Sequence, residues 1–308
     1  MFSFKFFVFV FIFSLLKIVQ TTKTGDHKSA FRNLFTLPDP ETVNEALRER
    51  GGLIWKRPDS LPFPYIWHTF KLNDPDTKEE VEYIIQDIPV DRYDEVLQLL
   101  ADFTLKHEPT YVALKLWDDA DAVKHLKFAW DLALKQKLSL ACFRNGSSEI
   151  IGINILNIEG KDDEMYKLFP EDYVGINFNA LIELSRMVHG SYDIFKYSDT
   201  FLSSTALGIA PYYLSKSIPI DLEMIRTREK ICKQFGIKLS LAIFSSKHLN
   251  KLADSLHFKI KNAISCMDIQ KRIPRMKLPR DISGGITLRA IQYNWTDHQD
   301  EATNSLIN

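Results

Sequence analysis

The residues from Phe201 to Gly236 are ordered as an anion site would need them. Phe201-Leu-Ser-Ser-Thr-Ala-Leu-Gly-Ile-Ala210 predicts an apolar strand, Pro211 to Pro219 a turn, and Ile220 to Phe235 an amphipathic helix ended by Gly236. A helix entered from such a turn directs its first N–H groups outward, where they and the helix dipole attract a phosphate or carboxylate. Within the turn Lys216 can act as a point charge. Ser215 and Ser217 carry hydroxyls that either donate to the anion or serve as a loop serine and a helix cap. Pro219 has no N–H to offer, although proline is tolerated in a first helical turn. Neither Gly-x-Gly-x-x-Gly nor Gly-x-x-x-x-Gly-Lys-Ser/Thr occurs, which disfavours a Rossmann or P-loop nucleotide enzyme.

Other chemistries find less support. Cys142, Cys232 and Cys266 are odd in number, widely spaced and without a Cys-x-x-Cys, so they suggest buried thiols rather than a disulfide framework or a zinc site. None of the eight histidines stands in a His-x-x-x-His or His-Glu-x-x-His spacing, and no metal is implied. The 39 basic residues balance 40 acidic ones, which argues against nucleic acid as a partner. A length of 308 residues with 45% hydrophobic content fits one large or two small globular domains.

The first 22 residues differ from the rest. Lys5, an apolar run from Phe6 to Leu16, then Lys17 and small polar residues at Thr21 to Thr24 resemble a secretory signal, and the run is short for a membrane span. A secretory or membrane-anchored chain is expected if this leader acts, with membrane contact only through an uncleaved leader, and a cytoplasmic one otherwise. Asn145-Gly-Ser and Asn294-Trp-Thr would be glycosylation acceptors in a secreted chain, although Asn145-Gly is equally a tight-hairpin signal.

The elements that would hold a site follow from periodicity. Residues 23–80, with Trp55-Lys-Arg-Pro58 and Leu61-Pro-Phe-Pro-Tyr-Ile-Trp67, suggest an extended, aromatic-anchored extension packed on a core. A short strand is expected over 82–89. Val96, Leu99, Leu100 and Phe103 mark a helix over 90–106, and Asp118 or Asp119 caps a second with Leu126, Ala129, Trp130 and Ala133 on one face. Leu138 to Phe143 and Glu149 to Ile158 read as a hairpin around Asn145-Gly146. A further helix near 179–188 precedes the strand, turn and helix described first. A buried strand at 237–244, a helix at 249–256 that Ser245 or Ser246 caps, and strands at 258–264 and 286–293 complete the domain, leaving a polar tail at 296–308. The fold class is α/β of the α+β kind: a mixed, largely antiparallel central sheet flanked by helices.

This order resembles that of the GCN5-related N-acetyltransferases, and local signatures are similar to the insect arylalkylamine N-acetyltransferase-like branch. The resemblance covers roughly residues 81–293, within a domain expected over 81–295. It rests on Ile88-Pro-Val-Asp-Arg-Tyr-Asp-Glu-Val96, the Glu-Pro of Lys106-His-Glu-Pro109, the hairpin Leu138-Ser-Leu-Ala-Cys-Phe143 with Ile150-Ile-Gly-Ile-Asn154, and Phe244-Ser-Ser-Lys-His248 through Leu256-His-Phe258. The upstream Trp-x-Arg-Pro and Pro-Phe-Pro segments also resemble the extension of insect members.

The resemblance implies acetyl-CoA as cosubstrate, no metal, and direct transfer of the acyl group from the thioester to a small (aryl)alkylamine. It implies Glu108 as the base and Ser245 as a proton-transfer residue. Glu108 is otherwise a solvated residue or a partner for Lys106 or His107; His107 is a relay or a surface histidine; both serines are otherwise helix caps. It also implies that coenzyme A is held by the strand through Leu207, Gly208 and Ile209, and that its pyrophosphate is held by Leu214, Ser215, Lys216, Ser217, Ile218 and Pro219. Relatives carry an Arg-Gly-x-Gly-x-Gly/Ala pattern there, whereas every expected glycine is replaced in this chain. A second serine expected at Leu249 and the tyrosine of the wider family at Ala253 are absent too. The alternative expectation is therefore a catalytically inactive protein that keeps the fold as a binding or structural module.

Overall fold

The computed structural model describes residues 55–161, 176–278, 282 and 285–295. The leader at 1–22 and the tail from 296 lie outside the described residues. The described chain begins with β1 (Ile66–Asn73) and β2 (Glu80–Asp87), an antiparallel hairpin turned at Asp74, whose carboxylate accepts the N–H groups of Asp76 and Thr77. β1 falls where the sequence suggested an extension without regular structure, so the sheet starts upstream of residue 81. Only Trp67 of this edge strand is fully buried, and a register shift between Ile66 and His68 interrupts its alternation.

Helix α1 (Tyr93–Thr104) buries Val96, Leu100, Ala101 and Thr104. The short α2 (Pro109–Ala113) starts at Pro109, and α3 (Ala120–Leu134) is capped by Asp119, whose carboxylate accepts the Ala122 N–H at 3.1 Å. Strands β3 (Leu140–Arg144) and β4 (Ile150–Gly160) are joined through Asn145 and Gly146, the latter at φ +81°. There follow α4 (Ile176–His189), β5 (Thr200–Ile209), α5 (Pro211–Ser215) and α6 (Ile220–Gln234). The expected turn after Ala210 thus contains a short helix started by Pro211. The chain continues through β6 (Leu239–Phe244), α7 (Lys247–Ser255), β7 (Lys259–Ile264), α8 (Cys266–Arg272) and β8 (Ile286–Gln292).

The eight strands form one sheet in the order β1-β2-β3-β4-β5-β6-β8-β7. Every pairing is antiparallel except β5 with β6. On one face α1, α3 and α4 pack over Ile153, Ile155 and Phe201; on the other, Ile220, Met224, Ile231 and Cys232 of α6 pack over Leu156, Ile158 and Leu202. β4 is covered on both sides, so it is buried continuously from Ile150 to Glu159 rather than at alternate positions, with Asn154, Asn157 and Glu159 among its buried residues.

Candidate active site

The single parallel junction opens the sheet. β5 and β6 pair with each other only at Leu202↔Ser240 and Ser203↔Leu241, after which β5 runs on beside β4 to Ile209 and β6 beside β8 to Phe244. At the point of separation β5 carries a bulge: Ile155 of β4 faces Ala206 and Leu156 faces Ser204, leaving Thr205 as the extra residue. A bulge bends its strand and strengthens the local twist, which turns β5 away from β6. The resulting wedge holds a cavity of about 110 Å³ lined by β5 (Ser204 to Leu207) and β6 (Ala242 to Phe244), with α1, α2 and α4 above.

Glu108 and Ser245 meet at this cavity. Glu108 is the N-cap of α2, its Oε2 accepting the Tyr111 N–H at 2.8 Å and the Thr110 hydroxyl, while Oε1 accepts the hydroxyl of Ser245. The capping role proposed for the serines divides between neighbours: Ser246 caps α7, accepting the Leu249 N–H at 3.1 Å, and Ser245 is left for Glu108. Glu108 is half-buried as a residue, but packing around its carboxyl raises its pKa above the ordinary carboxylate value, opposed by the donors Ser245, Thr110 and Tyr111. His107 is exposed, at the outer side of this turn. Tyr111 also lines the cavity, and burial raises its phenol. Leu249 lines it as well, whereas Ala253 is in the core with Phe244 and Phe258, so neither supplies a hydroxyl.

No protein-family model and no curated protein matches the chain. Solved structures do. A putative arylalkylamine N-acetyltransferase 7 from the yellow fever mosquito Aedes aegypti superposes with a TM-score of 0.69 at 26% identity, over 77% of this chain and 99% of that one. Arylalkylamine N-acetyltransferase 2 of the same mosquito gives 0.60 at 15% identity, over 69% of this chain and 99% of its own. A polyamine N-acetyltransferase of Drosophila melanogaster gives 0.54 at 14% identity, over 68% of this chain and 100% of its own. The chain belongs to the GCN5-related N-acetyltransferase superfamily.

Against that family's pattern the segment expected to hold a pyrophosphate has turned inward. The N–H groups of Lys216, Ser217, Ile218 and Ile220 are bonded to the carbonyls of Tyr212, Leu214, Tyr213 and Ile218 at 2.8 to 3.1 Å. The Ser215 hydroxyl donates to the Tyr212 carbonyl at 2.7 Å. Ser217 is not a helix cap: it sits at φ +55°, and Pro219 takes the N-cap position of α6 without a side-chain bond. Lys216 is held at 2.5 Å by Asp76 of the β1–β2 turn, which also accepts the Tyr212 hydroxyl at 2.8 Å. These donors draw the Asp76 carboxyl below its ordinary value. In the first turn of α6 the buried Asp221 accepts the Leu222 N–H at 2.8 Å and lies 2.6 Å from His248 Nε2. A helix start carrying its own carboxylate, with its turn N–H groups spent and its lysine paired, does not fit a pyrophosphate.

Leu207, Gly208 and Ile209 pair with Asn154, Ile153 and Gly152 on the β4 side, and the opposite edge of β5 faces the wedge. Gly208 also lets α1 approach, since a Cβ there would lie 3.1 Å from Phe103 Cβ and Thr104 Cγ2.

Sequence reasoning missed Arg228. Its side chain lines the cavity and its residue is 2% exposed. The signal was its place on α6, four residues after Met224 and three before Ile231, on the face that packs the sheet. Asp76 and Asp221 were missed because their roles depend on partners in distant segments.

Proposed function

We propose that this protein transfers an acyl group from a thioester to a small amine in the wedge between β5 and β6. The bond from Ser245 to Glu108 carries the reading, because it joins the end of β6 to the cap of α2 at the cavity wall and serves neither helix as a cap. An alkyl amine is mostly protonated near neutrality, its pKa being about 10 as for lysine, and must lose a proton before it attacks. The Ser245 hydroxyl would pass that proton to Glu108, the amine nitrogen would bond to the acyl carbon, and the carbon–sulfur bond would break. Glu108 then gives that first proton up to water, and the second nitrogen proton, lost as the amide forms, goes to the departing thiolate and makes it the thiol. The unpaired edge of β5 beyond Ser203 is the segment that would hold the thioester arm. The family's usual donor is acetyl-CoA, whose arm suits the wedge and whose pyrophosphate does not suit the loop.

That loop favours a second reading, a non-catalytic member of the fold acting as a binding or structural module. The two separate in one experiment: incubation of the protein with acetyl-CoA and a set of arylalkylamines and polyamines, followed by mass spectrometry. Acylated amine that disappears with Glu108→Gln supports transfer. No product at millimolar coenzyme leaves the second reading.

A further inference from the structure

Among the described residues Arg228 is a buried cation without a counter-ion. Its Nη2 donates to Ser204 Oγ at 3.0 Å and reaches Asn154 Oδ1 at 3.4 Å, both neutral. Turning the Asn154 amide over improves the set: its oxygen then accepts Nε and Nη2 at 3.1 and 3.2 Å, and its nitrogen donates to Ser204 and to the Ala206 carbonyl. Nη1 has no partner among the described residues in either arrangement. The titratable neighbours are Tyr293 and Cys232, and burial raises the pKa of each, which keeps both neutral.

Burying an ion costs several kcal/mol unless a partner of opposite charge is supplied, and an apolar residue of similar length would fill the same space without that cost. This chain keeps the guanidinium, and keeps it at a cavity. Arg228 and Ser204 line the apex of the wedge, Leu184, Val188 and Ala242 give apolar walls, and Glu108 belongs to the same cavity. Burial lowers the guanidinium only to about 10, so it is charged at neutral pH.

We infer that Arg228 is the receptor for a carboxylate carried by the molecule that enters the wedge. The space suits a short chain, being smaller than the ~150 Å³ apolar cavity that accepts benzene. Two reactants could bring the group: an acceptor of the amino-acid type, with its amine toward Glu108, or a dicarboxylic acyl group on the donor. Assigning it to either rests on the acyl-transfer reading, whereas carboxylate binding does not.

The test is therefore a binding measurement on the full chain with no thioester present. Calorimetry and thermal denaturation are run with 4-aminobutyrate and with succinate, each beside its amide, 4-aminobutanamide and succinamide. An acid bound at least tenfold more tightly than its amide is the expected result, 4-aminobutyrate marking an acceptor and succinate an acyl group. Arg228→Met should melt at a higher temperature than the unaltered protein without ligand and lose the response to the acid. Equal response to acid and amide, no response to either acid, or an undiminished response in Arg228→Met overturns the inference. If Arg228→Met does not fold, the comparison of acid with amide on the unaltered chain decides. Acid binding without any acyl transfer would overturn only the acyl-transfer reading.

Discussion

Ser245 donates its hydroxyl hydrogen to Glu108 across 137 residues of sequence, while Ser246 beside it caps α7. The two serines should therefore respond differently to replacement. Ser246→Ala should lower stability by about 1 kcal/mol, the usual cost of a lost cap, and Ser245→Ala should depress turnover. Glu108→Gln should lower turnover by roughly 10²- to 10⁴-fold, the range for a lost general base. Thermal denaturation and steady-state rates of the three variants check this division.

The pH dependence of turnover follows from the same pair. Burial raises the Glu108 pKa, and its donors, Ser245 first, hold it down. The ionised form is the base, so activity should rise with pH along a limb lying above the ordinary glutamate value of about 4.3. Ser245→Ala removes a bond to the ionised form and should move that limb to still higher pH. In stability the sign is opposite. A raised carboxyl favours the folded state most below its unfolded pKa, and that advantage is lost as pH rises through the folded value. Melting temperatures of Glu108→Gln should thus gain on the unaltered protein as pH increases.

His189 gives the converse acid dependence. It is buried on α4, with Nδ1 2.8 Å from the Ser185 carbonyl, and burial lowers its pKa to about 4. Its contribution is complete above its unfolded value of about 6.5 and is lost as pH falls toward 4, which amounts to roughly 3 kcal/mol. Replacing it by Leu should flatten the decline of melting temperature across that window.

The inward-turned loop makes a prediction about coenzyme affinity. Ser217 holds φ +55°, a region that costs an L-residue about 1–2 kcal/mol, so Ser217→Gly should stabilise the protein by up to about 1 kcal/mol. Glycine at 215, 217 and 219 together should still change the Kd for coenzyme A by less than about tenfold, because Lys216 stays with Asp76 and Asp221 stays at the helix start. Adding Asp76→Asn and Asp221→Asn frees the lysine and removes a like charge, and should tighten binding at least about tenfold, a charge-assisted bond contributing roughly 1.5–3 kcal/mol. Isothermal calorimetry distinguishes the two sets.

Local signals made much of the fold legible. Apolar spacing at Val96 and Leu100, the cap at Asp119, Asn145-Gly146 between two apolar runs and Gly236 at φ +65° are short-range features, and each marks an element where it stands. β1 was hidden because an edge strand buries little, only Trp67 being fully buried, and because an irregularity between Ile66 and His68 interrupts the alternation that runs from His68 to Asn73. Pro211 reads as a turn former, yet it is equally suited to open a helix, as it does for α5. The missing glycines suggested a changed loop, but the nature of the change required tertiary partners: Asp76 comes from the β1–β2 turn and His248 from α7. Glu108 and Ser245 were proposed through family resemblance, and their meeting depends on the wedge between β5 and β6, which no local pattern encodes.

The most direct test of the account is the initial rate of amide formation by the full-length chain supplied with acetyl-CoA and an amine, measured beside Glu108→Gln and Ser245→Ala. The account predicts product from the unaltered protein, a loss of at least about 10²-fold in Glu108→Gln, and a smaller loss with an upward-shifted pH limb in Ser245→Ala. No product from the unaltered protein, or an undiminished rate in Glu108→Gln, would contradict it.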